Sequence, residues 1–348
     1  MSNEQDAAPG WDAIDDALRT LYGDQEPRHF GTIVPFSLGG KDPIYGISAY
    51  KVAAPRPYWH IVTYGFSELW QKEWDDPEVS GFGFELTLRV ACGQDDENPP
   101  NWSLNFLQNL GRYVFQSGNA FGGGHTMSLN GPICLGADTK IRTIGFIRDP
   151  QLGVIHTPNG RVEFLQIAGL TLDELDAIQA WNAEGFLGLV ARHDPWLITD
   201  LNRASWLSSA EIAGEVERRT RAEGSSCEGL FVAQLSFTIA AKLATVRFQS
   251  IVVESLRRRL LGRIPFGRRL CLWGEDASVR FEPSGTCSWR QHGNELDLAI
   301  SETAARQLAD TLRPLAGRYE VPDIQGLTFE VLRTEVTNED GDVVDVVG

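Results

Sequence analysis

The sequence runs to 348 residues, 42% of them hydrophobic, which is enough for more than one core, and at roughly 100–200 residues per domain two domains are expected. Its 47 acidic and 31 basic residues leave a net charge of −16, which disfavours sequence-independent binding to phosphate backbones and suits solubility or a basic partner. The longest apolar stretches, such as Phe231–Leu235, fall far short of the ~20 residues of a membrane-spanning helix, and the polar start Met1–Pro9 lacks the basic and apolar regions of a secretory signal, so a cytoplasmic, non-membrane chain is expected.

After a disordered stretch over 1–10, Trp11, Ile14, Leu18 and Leu21 recur at helical spacing and predict a helix over Trp11–Tyr22, closed by Gly23. Tyr58–Phe66, rich in aromatic and β-branched residues, reads as a strand. Phe82, Phe84, Leu86, Leu88 and Val90 alternate with Gly83, Glu85, Thr87 and Arg89, the period of a strand with one apolar and one solvent-facing side. Asn101 follows two prolines and can cap a helix to about Gln116, whose apolar face carries Phe106, Leu107, Leu110, Tyr113 and Val114. Lys140–Arg148 and Arg161–Gly169 read as strands, the second entered through a turn at Thr157–Gly160. Thr171–Glu174 has the pattern of a capping box for a helix bearing Leu172, Leu175 and Ile178; a short helix at Glu184–Ala191 and a strand at Trp196–Leu201 follow.

The character then shifts. Ser208–Arg221 reads as a charged helix, Ala222–Ser226 as a linker, and Gly229–Thr334 as strand-rich with two helices, the better one capped by Ser301; Glu335–Gly348 is an acidic, frayed tail. Helices interspersed irregularly among strands predict an α+β fold. Two lobes are expected, each a mixed or antiparallel β-sheet flanked by helices, at 11–205 and 229–334, joined by a helical linker over 206–228.

Linear motifs for catalysis are missing. Five scattered cysteines contain no CxxC pair, and the six histidines form neither HExxH nor HxH, so no metal or other cofactor is expected. Gly122-Gly123-Gly124-His125 lacks the Gly-Lys-Ser/Thr ending of a phosphate loop and reads as a turn. His60, inside a strand, reads as a structural histidine. Asp75-Asp76 and Asp95-Asp96 lie in polar, solvated turns rather than in the buried setting that a general acid needs. The expectation is a protein that is not an enzyme.

Several strings are nonetheless specific: YWHIVTYGFSEL at Tyr58–Leu69, SGFGFELT at Ser80–Thr87, RYVFQS at Arg112–Ser117, FLQI at Phe164–Ile167 and DPWLITD at Asp194–Asp200. In this order they resemble the N-terminal lobe of Suppressor of fused proteins, from roughly Trp11 to Asn202. In the second lobe the resemblance thins to Gly262-Arg263, Gly267-Arg268 and the helix starting at Ser301. The resemblance implies a non-enzymatic adaptor whose two lobes close on a short partner peptide, taken as an added strand. Carried over by position, it implies a partner-binding set of Tyr113, Phe121, Gly124, His125 and Arg263; the alternatives are a core tyrosine for Tyr113 and loop packing for Phe121.

Animal members carry an aspartate where this chain has Gly124 and a long disordered insertion where it has only Ala222–Cys227. Both departures point away from the hedgehog-pathway transcription factors and toward a bacterial-type member, among which toxin-neutralising immunity proteins are thought to occur. A basic toxin would suit the acidic charge. Two other readings stay open: an enzyme or small-molecule binder using the cleft between the lobes, and a scaffold that works by oligomerising.

Overall fold

Pro9, at the first helical position, surrenders only an N–H that a helix start leaves unpaired, so the first helix (α1, Pro9–Tyr22) begins two residues earlier than expected. Its Gly10 sits where a Cβ would come within 2.0 Å of the Glu68 carbonyl, and its N–H bonds the Leu69 carbonyl at 2.9 Å. The computed structural model describes residues 7–34, 36–54, 56–241, 243–337 and 343–348. The disordered start expected over 1–10 lies otherwise outside the described residues.

The first unit comprises the chain up to Asp176 together with 183–213. Its strands are β1 (Arg28–Gly31), β2 (Gly46–Val52), β3 (Tyr58–Tyr64) and β4 (Val79–Ala91), then β5 (Thr126–Ser128), β6 (Ile141–Arg148), β7 (Val154–Thr157) and β8 (Gly160–Thr171). They form one mixed sheet in the order β1-β2-β3-β4-β8-β6-β5, with β7 pairing β8; only the β4–β8 pair is parallel. Helix α2 (Asn101–Ser117) lays Phe106, Leu107, Leu110 and Val114 on the face bearing Phe84, Leu86, Leu88 and Val90. On the opposite face Ile14 and Leu18 of α1 pack with Val62, Tyr64 and Phe164.

That second layer changes the reading of β4. Its polar positions Glu85, Thr87 and Arg89 are fully buried rather than solvent-facing. Alternation reveals two faces but not whether another layer covers the polar one. Two other expectations fail locally. Trp196–Leu201 is irregular apart from a single bridge, Thr199 to Val90, and Leu197 takes a positive φ of 47° that a continuous strand does not allow. Asn101 does not cap α2: Pro100 stands at the cap without a side-chain bond, and the Ser103 hydroxyl donates to its carbonyl at 2.7 Å.

Helices α3 (Leu172–Ala180) and α4 (Ala183–Val190) follow. In the expected capping box Glu174 accepts from the Thr171 N–H at 2.9 Å, while Leu172 is exposed and only Ile178 is fully buried. The division between the units falls within α5 (Ala210–Glu223), between Ala213 and Gly214.

The second unit comprises 177–182 and 214–348. Its elements are β9 (Gly229–Phe231), β10 (Ser236–Ala240), β11 (Leu243–Gln249), α6 (Val253–Arg263), β12 (Leu270–Trp273), β13 (Ser278–Pro283) and β14 (Ser288–His292). Then come β15 (Glu295–Ile300), α7 (Glu302–Thr311), β16 (Gly317–Glu320), β17 (Leu327–Leu332), β18 (Thr334–Thr337) and β19 (Val343–Val347). Two sheets, ordered β10-β11-β17-β16 and β14-β15-β13-β12-β9, share a core of Phe248, Phe281 and Phe329 with Leu256 of α6 and Leu308 of α7. Ser301 caps α7, accepting from the Ala304 N–H at 3.1 Å.

The stretch expected as a linker is anchored. Ser225 is buried, with its N–H on the Gly262 carbonyl at 2.7 Å and its hydroxyl on the Gln179 carbonyl at 2.6 Å. Of the tail expected to fray, 335–337 pair through β18 with β19, and 338–342 lie outside the described residues. The whole is an α+β fold.

Candidate functional site

The densest chemistry in the chain lies inside the first unit and is spent on structure. Arg89 of β4 donates to both Asp149 oxygens, at 2.8 and 3.2 Å, and to Gln151 at 2.8 Å. Asp149 also accepts from the Thr87 hydroxyl at 2.7 Å and from the N–H groups of Gln151 and Leu152 at 2.8 and 3.0 Å. His60 places Nδ1 2.6 Å from the Tyr22 hydroxyl and Nε2 3.3 Å from Asp149. Burial, then the Arg89 charge, pulls the His60 pKa down to about 4, so the ring is neutral at physiological pH. Burial pushes the Asp149 carboxyl up, but bonds from His60 and the Arg89 charge outweigh it and hold the pKa well below the usual range.

No reactant could reach these groups, since Arg89, His60 and Asp149 are all buried. Among the described residues no three His, Cys, Asp or Glu side chains are placed to share a metal. Asp75-Asp76 and Asp95-Asp96 are exposed, as their polar turns predict.

Four of the five sequence-selected residues meet at one end of the sheet. Tyr113 is 39% exposed on the outer side of α2, not in the core. Its ring stacks on Phe121 with centroids 5.7 Å apart, and Phe121 stacks on Phe146 of β6 at 4.3 Å. Phe121 therefore packs the loop, the alternative weighed for it, with its ring between Tyr113 and Phe146. The helix ends at Gly118, whose φ of 72° suits a left-handed cap, and the loop returns to the sheet through Gly124.

Gly124 has a φ of 81°, and its N–H bonds the Phe146 carbonyl at 2.8 Å. A Cβ there would be 3.3 Å from Cγ of the exposed Glu184 on α4, so a carboxylate lies against the loop from outside it. His125 is exposed, and its carbonyl accepts from the Phe146 N–H at 3.0 Å.

The loop leads into β5, the last strand of the sheet. Antiparallel pairing alternates residues that exchange bonds with the neighbour and residues that point their main chain away. The Leu129 N–H bonds the Arg142 carbonyl at 3.0 Å, which assigns Met127 and Leu129 to the first set. Thr126 and Ser128 therefore aim their N–H and C=O outward, on the strand that directly follows His125 and pairs with the one bearing Phe146. Sequence reading missed this edge because three residues, Thr126-Met127-Ser128, are too few to show a period.

Arg263 does not belong to this group. It lies in the second unit, is buried, and spends its guanidinium on the main-chain carbonyls of Arg269 and Ser225, at 2.5 and 2.8 Å. A side chain so occupied is a structural tie that anchors Ser225 and the stretch around it.

Residues 40–204 match the family model described as Suppressor of fused protein (SUFU). A chain of the Sufu–Fu complex crystal structure is 32% identical, over 62% of this chain and 98% of that one, with a TM-score of 0.56. The chain belongs to the Suppressor of fused family. It is also 35% identical to the human Suppressor of fused homolog over 240 residues, 64% of this chain and 49% of the human protein. It thus spans about half the length of the curated relatives it matches. The crystal structure of Drosophila Suppressor of Fused shares the fold across 95% of this chain and 99% of its own, with a TM-score of 0.80 at 22% identity. Among the described residues no helix is long and apolar enough to cross a membrane.

Proposed function

We propose that this Suppressor of fused member is a non-enzymatic partner-binding protein that takes an extended peptide along the outer edge of β5. The observation that carries the reading is the outward main chain of Thr126 and Ser128, on a strand paired with the one whose Phe146 carries the Tyr113–Phe121 aromatic stack. Strand addition draws affinity from such backbone groups and selectivity from adjacent side chains. That a Sufu chain has been crystallised with Fu supports protein binding as the mode of action.

The net charge of −16 favours a basic partner, and Glu184 against Gly124 gives the edge a local carboxylate for one of its cations. Neutralisation of a basic toxin, an immunity role in the bacterial cytoplasm, is the specific form of this proposal. The test is a pull-down with proteins encoded next to this chain, then titration at about 50 and 200 mM salt. A partner whose affinity falls with salt and with Tyr113→Ala supports the reading. A partner indifferent to both, or no partner, overturns it.

A further inference from the structure

A second surface of the first unit is unlike the rest of its exterior. Trp70 and Trp74, 43% and 48% exposed, lie on the segment between β3 and β4 and line a pocket of about 160 Å³. Trp70 sets its ring edge-on to Tyr45 at 4.6 Å; Trp74 packs on Phe82 at 4.9 Å, and Phe82 on Phe115 of α2 at 5.1 Å. Phe36 sets its ring edge-on to Phe115 at 5.6 Å, and Ile33 and Leu38, close to it in the chain, are 98% and 77% exposed. Apolar side chains this exposed, gathered around a concavity, mark an interaction surface.

The pocket is held open by its own hydrogen bonds. The Glu68 carboxylate accepts the N–H groups of Glu73, Trp74 (2.7 Å) and Gly81 (3.1 Å), and Lys72 Nζ at 2.8 Å. Asn159 reaches across from the β7–β8 turn to the carbonyls of Glu68 and Trp70, at 2.8 and 3.4 Å. Both tryptophans are thereby presented on a tied loop, so binding does not have to order the site. Gly81, at φ 53°, is needed for the closure: a Cβ would stand 2.6 Å from the Phe66 carbonyl.

Charge selects the occupant. Glu73 lines the pocket, and Asp75, Asp76 and Glu78 follow it in the chain. Lys72, the cation of that segment, is committed to Glu68 and the Val79 carbonyl. On α2, Arg112 is paired with Asp42. An aromatic face beside a carboxylate attracts a cation through the negative face of the ring quadrupole as well as through charge, worth about 0.5–2 kcal/mol per ring contact.

We propose that this pocket docks an arginine or lysine side chain presented by a basic segment of a partner protein, whose apolar flanks rest on Phe36, Ile33 and Leu38. The surface is separate from the β5 edge, and the inference does not rest on the function proposed there.

The test uses the full chain and two capped peptides, acetyl-Leu-Arg-Leu-amide and its citrulline counterpart, which is neutral at almost equal size. Indole N–H resonances are followed by NMR and assigned with Trp70→Phe and Trp74→Phe. The expected result is a saturable shift of the Trp70 and Trp74 signals with the arginine peptide. Binding should be about fivefold or more weaker with citrulline, reduced by Glu73→Gln and unchanged by Tyr113→Ala. Equal binding of both peptides, shifts confined to other indoles, or no shift at millimolar peptide overturns the proposal. So does self-association in light scattering that Trp74→Ala abolishes, since the face would then belong to a second copy.

Discussion

Replacing Arg89 by Met tests what holds the first unit together. The substitution keeps most of the side-chain volume and removes a fully buried guanidinium that donates to Asp149, Gln151 and Gln166. Asp149 is then a buried carboxylate with its Thr87, Gln151 and Leu152 donors but no balancing cation. Removing one partner of a buried ion pair costs about 3–5 kcal/mol, a large part of the 5–15 kcal/mol that typically stabilises a domain. Native-state hydrogen exchange suits a chain of two units, because it reads each locally. At about 1.4 kcal/mol per factor of ten, protection of the β3, β4 and β8 amides should fall roughly 100- to 1,000-fold or more, with the second unit unaffected. Adding Asp149→Asn should return about 1–2 kcal/mol, since the neutral amide no longer needs the cation. A fall of less than about fivefold, or a double variant whose losses simply add, would refute the reasoning that the pair is electrostatic.

Three further outcomes are expected. His60, with a folded pKa near 4 against about 6.5 unfolded, binds fewer protons in the native state, so its contribution is complete above pH 6.5 and drains as pH falls toward 4. The buried Glu85, its pKa raised, acts in the opposite sense, so the readout is the difference from His60→Gln: wild type should lose urea stability faster between pH 6.5 and 4.5, and parallel profiles would contradict this. Gly224→Val puts a Cβ 2.5 Å from the Phe266 ring and the Gly262 carbonyl at a φ of 66°, and should cost the second unit about 2 kcal/mol or more in exchange protection of α6; wild-type protection there would argue against the close packing. Arg263→Met should destabilise the second unit while a β5-edge partner still binds with unchanged affinity in calorimetry; a selective loss of affinity would instead give Arg263 the binding role that the resemblance implies.

The sequence by itself determined those features that depend on neighbours along the chain. The periodicity of Phe82–Val90 specifies a strand, Ser301 specifies a helix start, and the strings around Tyr58 and Ser80 carry the family. That Tyr113, Phe121, Gly124 and His125 fall in one neighbourhood was also legible, because the resemblance covers a continuous stretch of chain. What only the tertiary structure decided involves partners far apart in sequence. Arg89 meets Asp149 and Gln166 at separations of 60 and 77 residues, and nothing local distinguishes an arginine on a solvated face from one under a helix. Arg263 has the same ambiguity and resolves the same way, its bonds closing on Ser225 38 residues earlier. The β5 edge is decided by topology alone: Thr126 and Ser128 face outward because β5 is the last strand of the sheet, a fact of strand order that three residues cannot encode.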